Sequence, residues 1–297
     1  VRYKPMHKSI RVYWNNLKKV TIIDSSVSWT VIDVKELWRF RDLFFLLVRR
    51  DFVAQYKQTL LGPTWSVIQP LFLTLVFSLV FGTFARISTG ELPPLLFYNS
   101  GLMIWGFFSI CFSSNSSIFI SNVNIYNKVY YPRMINPIAN CFSGLWAFLI
   151  QLIFFAGYYV TFKFFVQSPE PYGCTWALIL VPLLVLISGM CGLGLGLWMS
   201  VLTAKYRDLS KLSSFLIQAL MYGTPIIYPI DAMPTKFQSL ALLNPMAPVV
   251  ESFRFALLGK GHFSPTELAY SFLFASSIFL SGIVLFNKTE KMVVDYV

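Results

Sequence analysis

Charge is scarce in this 297-residue sequence: Asp, Glu, Lys and Arg make up 12% of it, about half the share of an average soluble domain. The two histidines, His7 and His262, lie far apart and without a cluster of neighbouring ligands. The four cysteines, at 111, 141, 174 and 191, form no Cys-x-x-Cys pair. No disulfide framework or zinc site is therefore expected, and three of the cysteines fall in apolar runs where they read as small hydrophobes. No Gly-x-x-x-x-Gly-Lys-Ser/Thr occurs, and Gly259-Lys260-Gly261 is not a phosphate loop. There is no nucleophile elbow and no carboxylate pair at catalytic spacing. These absences leave the chain without a visible nucleotidase, hydrolase or metal centre of its own.

What the sequence has is apolar surface. Hydrophobic residues make up 56% and mean hydropathy is +0.62, which excludes disorder and argues against a soluble enzyme. The net charge of +11 would point to nucleic acid in a soluble protein. In so apolar a chain it marks cytoplasmic loops facing anionic headgroups, and no nucleic-acid partner is expected.

Six stretches are long enough and apolar enough to cross a bilayer: 64–85, 95–118, 139–162, 176–202, 212–230 and 268–286. None contains Asp, Glu, Lys, Arg or His, which argues against a proton relay. The end of the second is polar, with Ser113, Ser114, Asn115, Ser116 and Ser117, so it should face protein or a lumen. Pro70 should kink the first. In the fourth, Ser188, Gly192, Gly196 and Ser200 recur every four residues and make a face for close helix packing. Gly192, Gly194 and Gly196 lack the spacing and the preceding strand of a dinucleotide site. With six spans both termini share one side. That side carries 19 of the 24 Lys and Arg residues, most of them before residue 64, and should be cytoplasmic.

The first 35 residues hold no long apolar run, so no cleavable signal peptide is expected there. An amphipathic helix follows. Asp33 and Glu36 have capping-box spacing. Leu37, Phe40, Phe44, Leu47 and Val48 then recur at helical period among Arg39, Arg41, Asp42, Arg49, Arg50, Asp51 and Lys57, the pattern of a helix lying along headgroups. Residues 225–267 are rich in proline yet apolar, with runs too short to cross. Short re-entrant or surface helices on the outer face are expected, or else a plain amphipathic loop. The residues alone thus leave three classes open: a channel, a transport subunit driven by another chain, or a membrane-embedded transferase.

One stretch narrows this. Arg49-Arg50-Asp51, Tyr56-Lys57-Gln58-Thr59-Leu60-Leu61-Gly62, Trp65 and Gln69-Pro70 together resemble the signature entering the first span of type-2 ABC exporter permeases. The subgroup that exports O-antigen and related polysaccharides is the most similar. Tyr131-Pro132-Arg133 with Asn136-Pro137 resembles that family's loop between spans two and three. Lys205-Tyr206-Arg207-Asp208-Leu209 resembles the loop before span five. Thr224-Pro225, Asn244-Pro245-Met246 and Glu251-Ser252-Phe253-Arg254 resemble its outer connection.

The resemblance covers residues 33–297 and implies an all-α membrane protein. Residues 1–32 would be a cytoplasmic extension, 33–62 an interfacial helix, 63–290 the transmembrane domain and 291–297 a cytoplasmic tail. It implies a homodimer of twelve spans in a bacterial inner membrane, joined to two copies of a separate ABC ATPase. ATP and Mg would sit on that partner, and no cofactor on this chain. The cargo would be a glycan on undecaprenyl diphosphate, with capsular polysaccharide and teichoic acid as alternatives. A glycosyl or acyl transferase remains the rival of another class.

By the same resemblance, a coupling helix within 122–137 would dock on the ATPase through Tyr126, Tyr130, Tyr131 and Arg133, unless this is an ordinary headgroup loop. Lys205, Arg207 and Asp208 would make a second contact, unless they are positive-inside charge alone. Arg49, Arg50 and Lys57 lie where a lipid diphosphate needs cations, and Arg offers bidentate bonds to phosphate oxygens. Bulk attraction to anionic lipid is the competing reading. The aromatic share is 18%. Rings such as Trp105, Trp146 and Trp198 would either stack on sugars in a channel or belong to the interface belt.

Overall fold

An apolar segment surrounded by lipid must close its backbone hydrogen bonds within itself, and a helix does so. In the computed structural model residues 34–90, 92–122, 131–165 and 173–296 are described, without the side chains of 34–36, 165, 235 and 290–296. Every regular element among the described residues is helical. A short helix α1 (Val34–Arg39) leads into α2 (Arg41–Tyr56). The tight turn Gly62–Thr64 opens α3 (Trp65–Phe77), which widens into the π-wound segment Ser78–Phe84. Then come α4 (Pro94–Ser116), α5 (Ile118–Ser121), α6 (Ile135–Phe165) and α7 (Val181–Lys205), the last led by the turn Trp176–Leu180. They are followed by α8 (Leu209–Tyr222), α9 (Thr235–Leu242), α10 (Met246–Leu258) and α11 (Pro265–Tyr296).

Five helices, turns included, are long and apolar enough to cross a membrane: Gly62–Phe84, Pro94–Ser116, Ile135–Phe164, Trp176–Lys205 and Pro265–Thr289. They fall on five of the six expected windows. The window 212–230 is built differently. Its helix, α8, has 14 residues and reaches about 21 Å at 1.5 Å per residue, short of a hydrocarbon core of about 30 Å. Pro225 carries no amide and disfavours helical backbone at Thr224, so the helix ends at Gly223. The Thr224 hydroxyl donates back to the Leu220 carbonyl at 2.7 Å.

Helix α4 is the hub, packed by α3, α6, α7, α8 and α10. The expected small-residue face lets α7 close on it. A Cβ at Gly192 would lie 2.7 Å from the Phe108 carbonyl, and one at Gly196 2.9 Å from the Phe112 carbonyl. Gly194, between them in sequence, faces the other way and meets α11: a Cβ there would lie 2.8 Å from the Phe279 nitrogen. The run Gly192-x-Gly194-x-Gly196 is therefore what lets one helix touch backbone on two sides.

The polar end of α4 turns inward. Asn115 and Ser116 are buried. Asn140 Nδ2 donates to Asn115 Oδ1 at 3.1 Å, and the Thr203 hydroxyl donates to the Ser116 carbonyl at 2.6 Å. All four cysteines are free.

The stripe on α2 is present, and part of it packs on protein. Leu47 and Val48 are buried in a second core with Ile118, Phe119, Tyr131, Met134, Ile135 and Phe286, and Phe44 meets Phe142 of α6 edge-on at 5.1 Å. The apolar period thus seats one side of α2 on protein. The off-stripe residues Phe45 and Leu46 remain exposed. Asp33 of the expected capping box lies outside the described residues.

Candidate functional site

Two constellations stand out, one at each end of the helix bundle. The first is the basic end, where α2, α5, the start of α6 and the end of α11 come together. Tyr131 is buried there, and its hydroxyl accepts from Asn136 Nδ2 at 2.8 Å. Burial pushes the Tyr131 phenol above its ordinary pKa, while the Asn136 bond and the charges of Arg50 and Arg133 pull it back. Arg50 also pairs with Asp51 at 2.8 Å. The structure therefore brings Arg50, a phosphate candidate, and Tyr131 and Arg133, coupling candidates, into one neighbourhood over one core.

Arg49 and Lys57 are exposed on and just after α2. Lys205, Arg207 and Asp208 are exposed at the corner between α7 and α8, with Lys205 Nζ 5.2 Å from the Tyr206 ring. Tyr126 and Tyr130 lie outside the described residues. Of the three tryptophans, Trp105 is buried against Phe108, with ring centroids 4.9 Å apart. Trp146 and Trp198 are exposed, and Trp198 Nε1 donates to Ser281 Oγ at 3.1 Å.

The second constellation is the proline-rich end, and sequence reasoning gave its residues no role. Glu251 and Arg254 on α10 are each 1% exposed and pair at 2.8 Å. Arg254 Nη2 donates to the Pro225 carbonyl at 3.0 Å, and its guanidinium stacks 3.7 Å over the Phe97 ring of α4. Gly101 leaves the room: a Cβ there would lie 3.1 Å from Arg254 Nη2. The Glu251 carboxylate also accepts from the Ile230 amide at 3.3 Å and the His262 amide at 3.2 Å.

Asn244 completes the knot by donating to Thr224 Oγ1 at 2.8 Å and accepting from the Met246 amide at 3.0 Å. The last carbonyls of α10, which no helical amide can reach, are met by the amides of Gly173 and Thr175. Gly259 ends the helix at φ +72, where a Cβ would lie 2.8 Å from the Gly173 carbonyl oxygen, so a side chain would not fit. A charged pair three residues apart in an apolar segment was the available signal. A pair this deep depends on its surrounding partners, and here only Arg254 Nε, of the groups in the pair, is left without one.

Among the described residues no group of three His, Cys, Asp or Glu could hold a metal ion. The arrangement offers charge at one end, a polar knot at the other and apolar helices between, the layout of a membrane-crossing bundle.

A family model described as ABC-2 type transporter matches residues 42–258. The chain belongs to that family. Among curated proteins, this ABC-2 chain is similar to the O-antigen export system permease protein RfbA of Klebsiella pneumoniae, 26% identical over 250 residues, which cover 84% of this chain and 92% of the relative. It is similar to RfbA of Myxococcus xanthus, 28% identical over 223 residues covering 74% and 82%. It is also similar to the polysialic acid transport protein KpsM of Escherichia coli, 25% identical over 256 residues covering 82% and 92%.

Proposed function

We propose that this ABC-2 chain is the permease subunit of an ATP-driven exporter of a bacterial surface polysaccharide. It works as a homodimer with two copies of a separate ABC ATPase in the inner membrane, with α8 as a short sixth crossing and both termini cytoplasmic. The match over residues 42–258 carries the reading, in a chain whose sequence has no phosphate-binding loop. Relatives named for O-antigen and polysialic acid transport support a polysaccharide cargo. A glycan on undecaprenyl diphosphate fits the basic end best, because Arg50 and its neighbours offer guanidinium groups to a lipid diphosphate at headgroup depth. ATP and Mg would be held by the partner.

The conduit is read from misplaced polarity. Gln69 on α3, and Ser214 and Gln218 on α8, are exposed polar side chains on otherwise apolar helices, where lipid tails would offer them no partner. Both helices flank α4. A second copy covering α3 and α8 would turn these groups toward a shared polar passage.

The chain coexpressed with the ATPase encoded beside it should copurify with it and, in vesicles, move lipid-linked glycan with ATP. Nucleotide hydrolysis or sugar-donor turnover by the isolated chain would favour the transferase reading and reject this one. Arg133→Glu and Tyr130→Ala should each cut export about tenfold while ATP hydrolysis persists. Normal export by both variants rules out docking through this loop. Charge reversal at Arg49, Arg50 and Lys57 together should weaken retention of the lipid-linked glycan, and unchanged retention removes the diphosphate assignment.

A further inference from the structure

A groove of about 380 Å³ opens sideways between α3, α4 and α6. Its volume is within the roughly 300–1,000 Å³ of ordinary ligand sites, which are mostly apolar with a few placed polar groups. Val67 and Leu71 of α3 and Phe155 of α6 line it, and Ile153 and Phe154 of α6 form an exposed rim. Two carboxamides interrupt the apolar lining: Asn99 of α4 and Gln151 of α6. Asn99 is 7% exposed, and its side chain makes no hydrogen bond with any described residue. A buried amide in hydrocarbon needs an acceptor, so the occupant must bring one.

Asn99 lies five residues into α4, about 7.5 Å from the Pro94 end at 1.5 Å per residue. The glycerol esters of phospholipids border the apolar zone, within reach of a side chain one to two turns into a crossing helix. We infer that the groove holds one acyl chain of a membrane glycerophospholipid. An ester carbonyl accepts from the Asn99 amide, and the chain runs along α3 toward Val67, with Gln151 beside it as a second donor.

A polyprenyl phosphate would fill the apolar length, but its acceptors are the phosphate oxygens of its headgroup, and it carries no ester carbonyl for the amide. A second copy of the protein is placed elsewhere. Gln69, which marks the face given above to the dimer, is two residues from both Val67 and Leu71, and so roughly 160–200° around the helix at 3.6 residues per turn. The site is thus set apart from the cargo path, and its test does not depend on which glycan is moved.

Purified protein, washed free of lipid and titrated with dioleoyl phosphatidylglycerol, should retain one phospholipid per chain in native mass spectrometry under conditions that strip annular lipid. Asn99→Leu should lower that retention tenfold or more. Gly157→Leu should do the same by filling the groove, since a Cβ at Gly157, which lines it, meets nothing within 4 Å. Gel filtration checks that both variants keep the wild-type profile, and if Asn99→Leu does not fold, Gly157→Leu decides. Undecaprenyl phosphate in equal amount should leave the phospholipid in place. Full retention in the variants, displacement by undecaprenyl phosphate, or a changed oligomeric state in Gly157→Leu would each overturn the assignment.

Discussion

Glu251→Leu should be the most damaging single substitution in the outer connection. It leaves the Arg254 guanidinium buried with only the Pro225 carbonyl and the Phe97 ring, and strips an acceptor from the Ile230 and His262 amides. Breaking a buried pair from one side costs about 3–5 kcal/mol, and each unpaired buried amide adds about 1–3 kcal/mol. Loss of folded protein is the expected result, read as collapse of the gel-filtration peak from membranes.

Arg254→Met strands the carboxylate but leaves its two amide donors, so it should be milder. Glu251→Gln keeps the shape and one acceptor and should be milder again. The double variant Glu251→Leu with Arg254→Met removes both charges and should cost clearly less than the sum of its parts, because neither partner is left stranded. It should still fall short of wild type, since the two amides remain unmet. Additive losses in thermal unfolding would mean that the pair contributes nothing as a pair.

The second large effect belongs to glycines. Gly192→Ala and Gly194→Ala add one methyl group each, to positions where the nearest atoms stand at 2.7 Å. A helical Gly→Ala change ordinarily gains about 1 kcal/mol from backbone entropy. Here the obstacles include backbone: the Phe108 carbonyl for Gly192, and the Ile278 carbonyl carbon and Phe279 nitrogen for Gly194. Backbone of a packed helix cannot rotate aside as a side chain can, so α7 must retreat from α4 or from α11. Overpacking of this kind costs about 1–3 kcal/mol, and the lost contacts along two helices add to it.

Gly106→Ala on α4 is the control. A Cβ there meets nothing within 4 Å, so the entropy gain should stand unopposed. Lower melting temperatures for Gly192→Ala and Gly194→Ala beside an unchanged or higher one for Gly106→Ala would establish the two-sided approach. Equal behaviour of all three variants would refute it.

Much of the fold is visible in composition because a bilayer leaves a chain few options. A run of 20 apolar residues must be a helix, and five of the expected spans are found within a few residues of their windows. The close-packing face was legible for the same reason: small residues four apart lie on one side of a helix. Its second face was not, since Gly194 differs from its neighbours only in what packs against it.

The window 212–230 shows where hydropathy overstates the length of a helix. It counts Thr224 to Ile230 as apolar, yet Pro225 ends the helix, and the residues beyond it fold back onto α10. The stripe of α2 had the right period, but period identifies a face and not what covers it. Of the candidate site residues, Arg50, Tyr131 and Arg133 were named for separate tasks, and only the packing of α2 against α6 puts them together.

The sequence by itself determined that the chain is helical and membrane-bound, that the phosphate loop is missing, and which family's motifs it carries. These follow from local chemistry: hydropathy over a window, charge counted along loops, residues at fixed spacing. Only the tertiary structure decided that Thr224, Pro225, Asn244, Glu251 and Arg254 form one knot, that one helix uses alternate glycines against two neighbours, and that Asn99 faces a groove without a partner. Each depends on which residues far apart in sequence are brought side by side, and no count along the chain contains that.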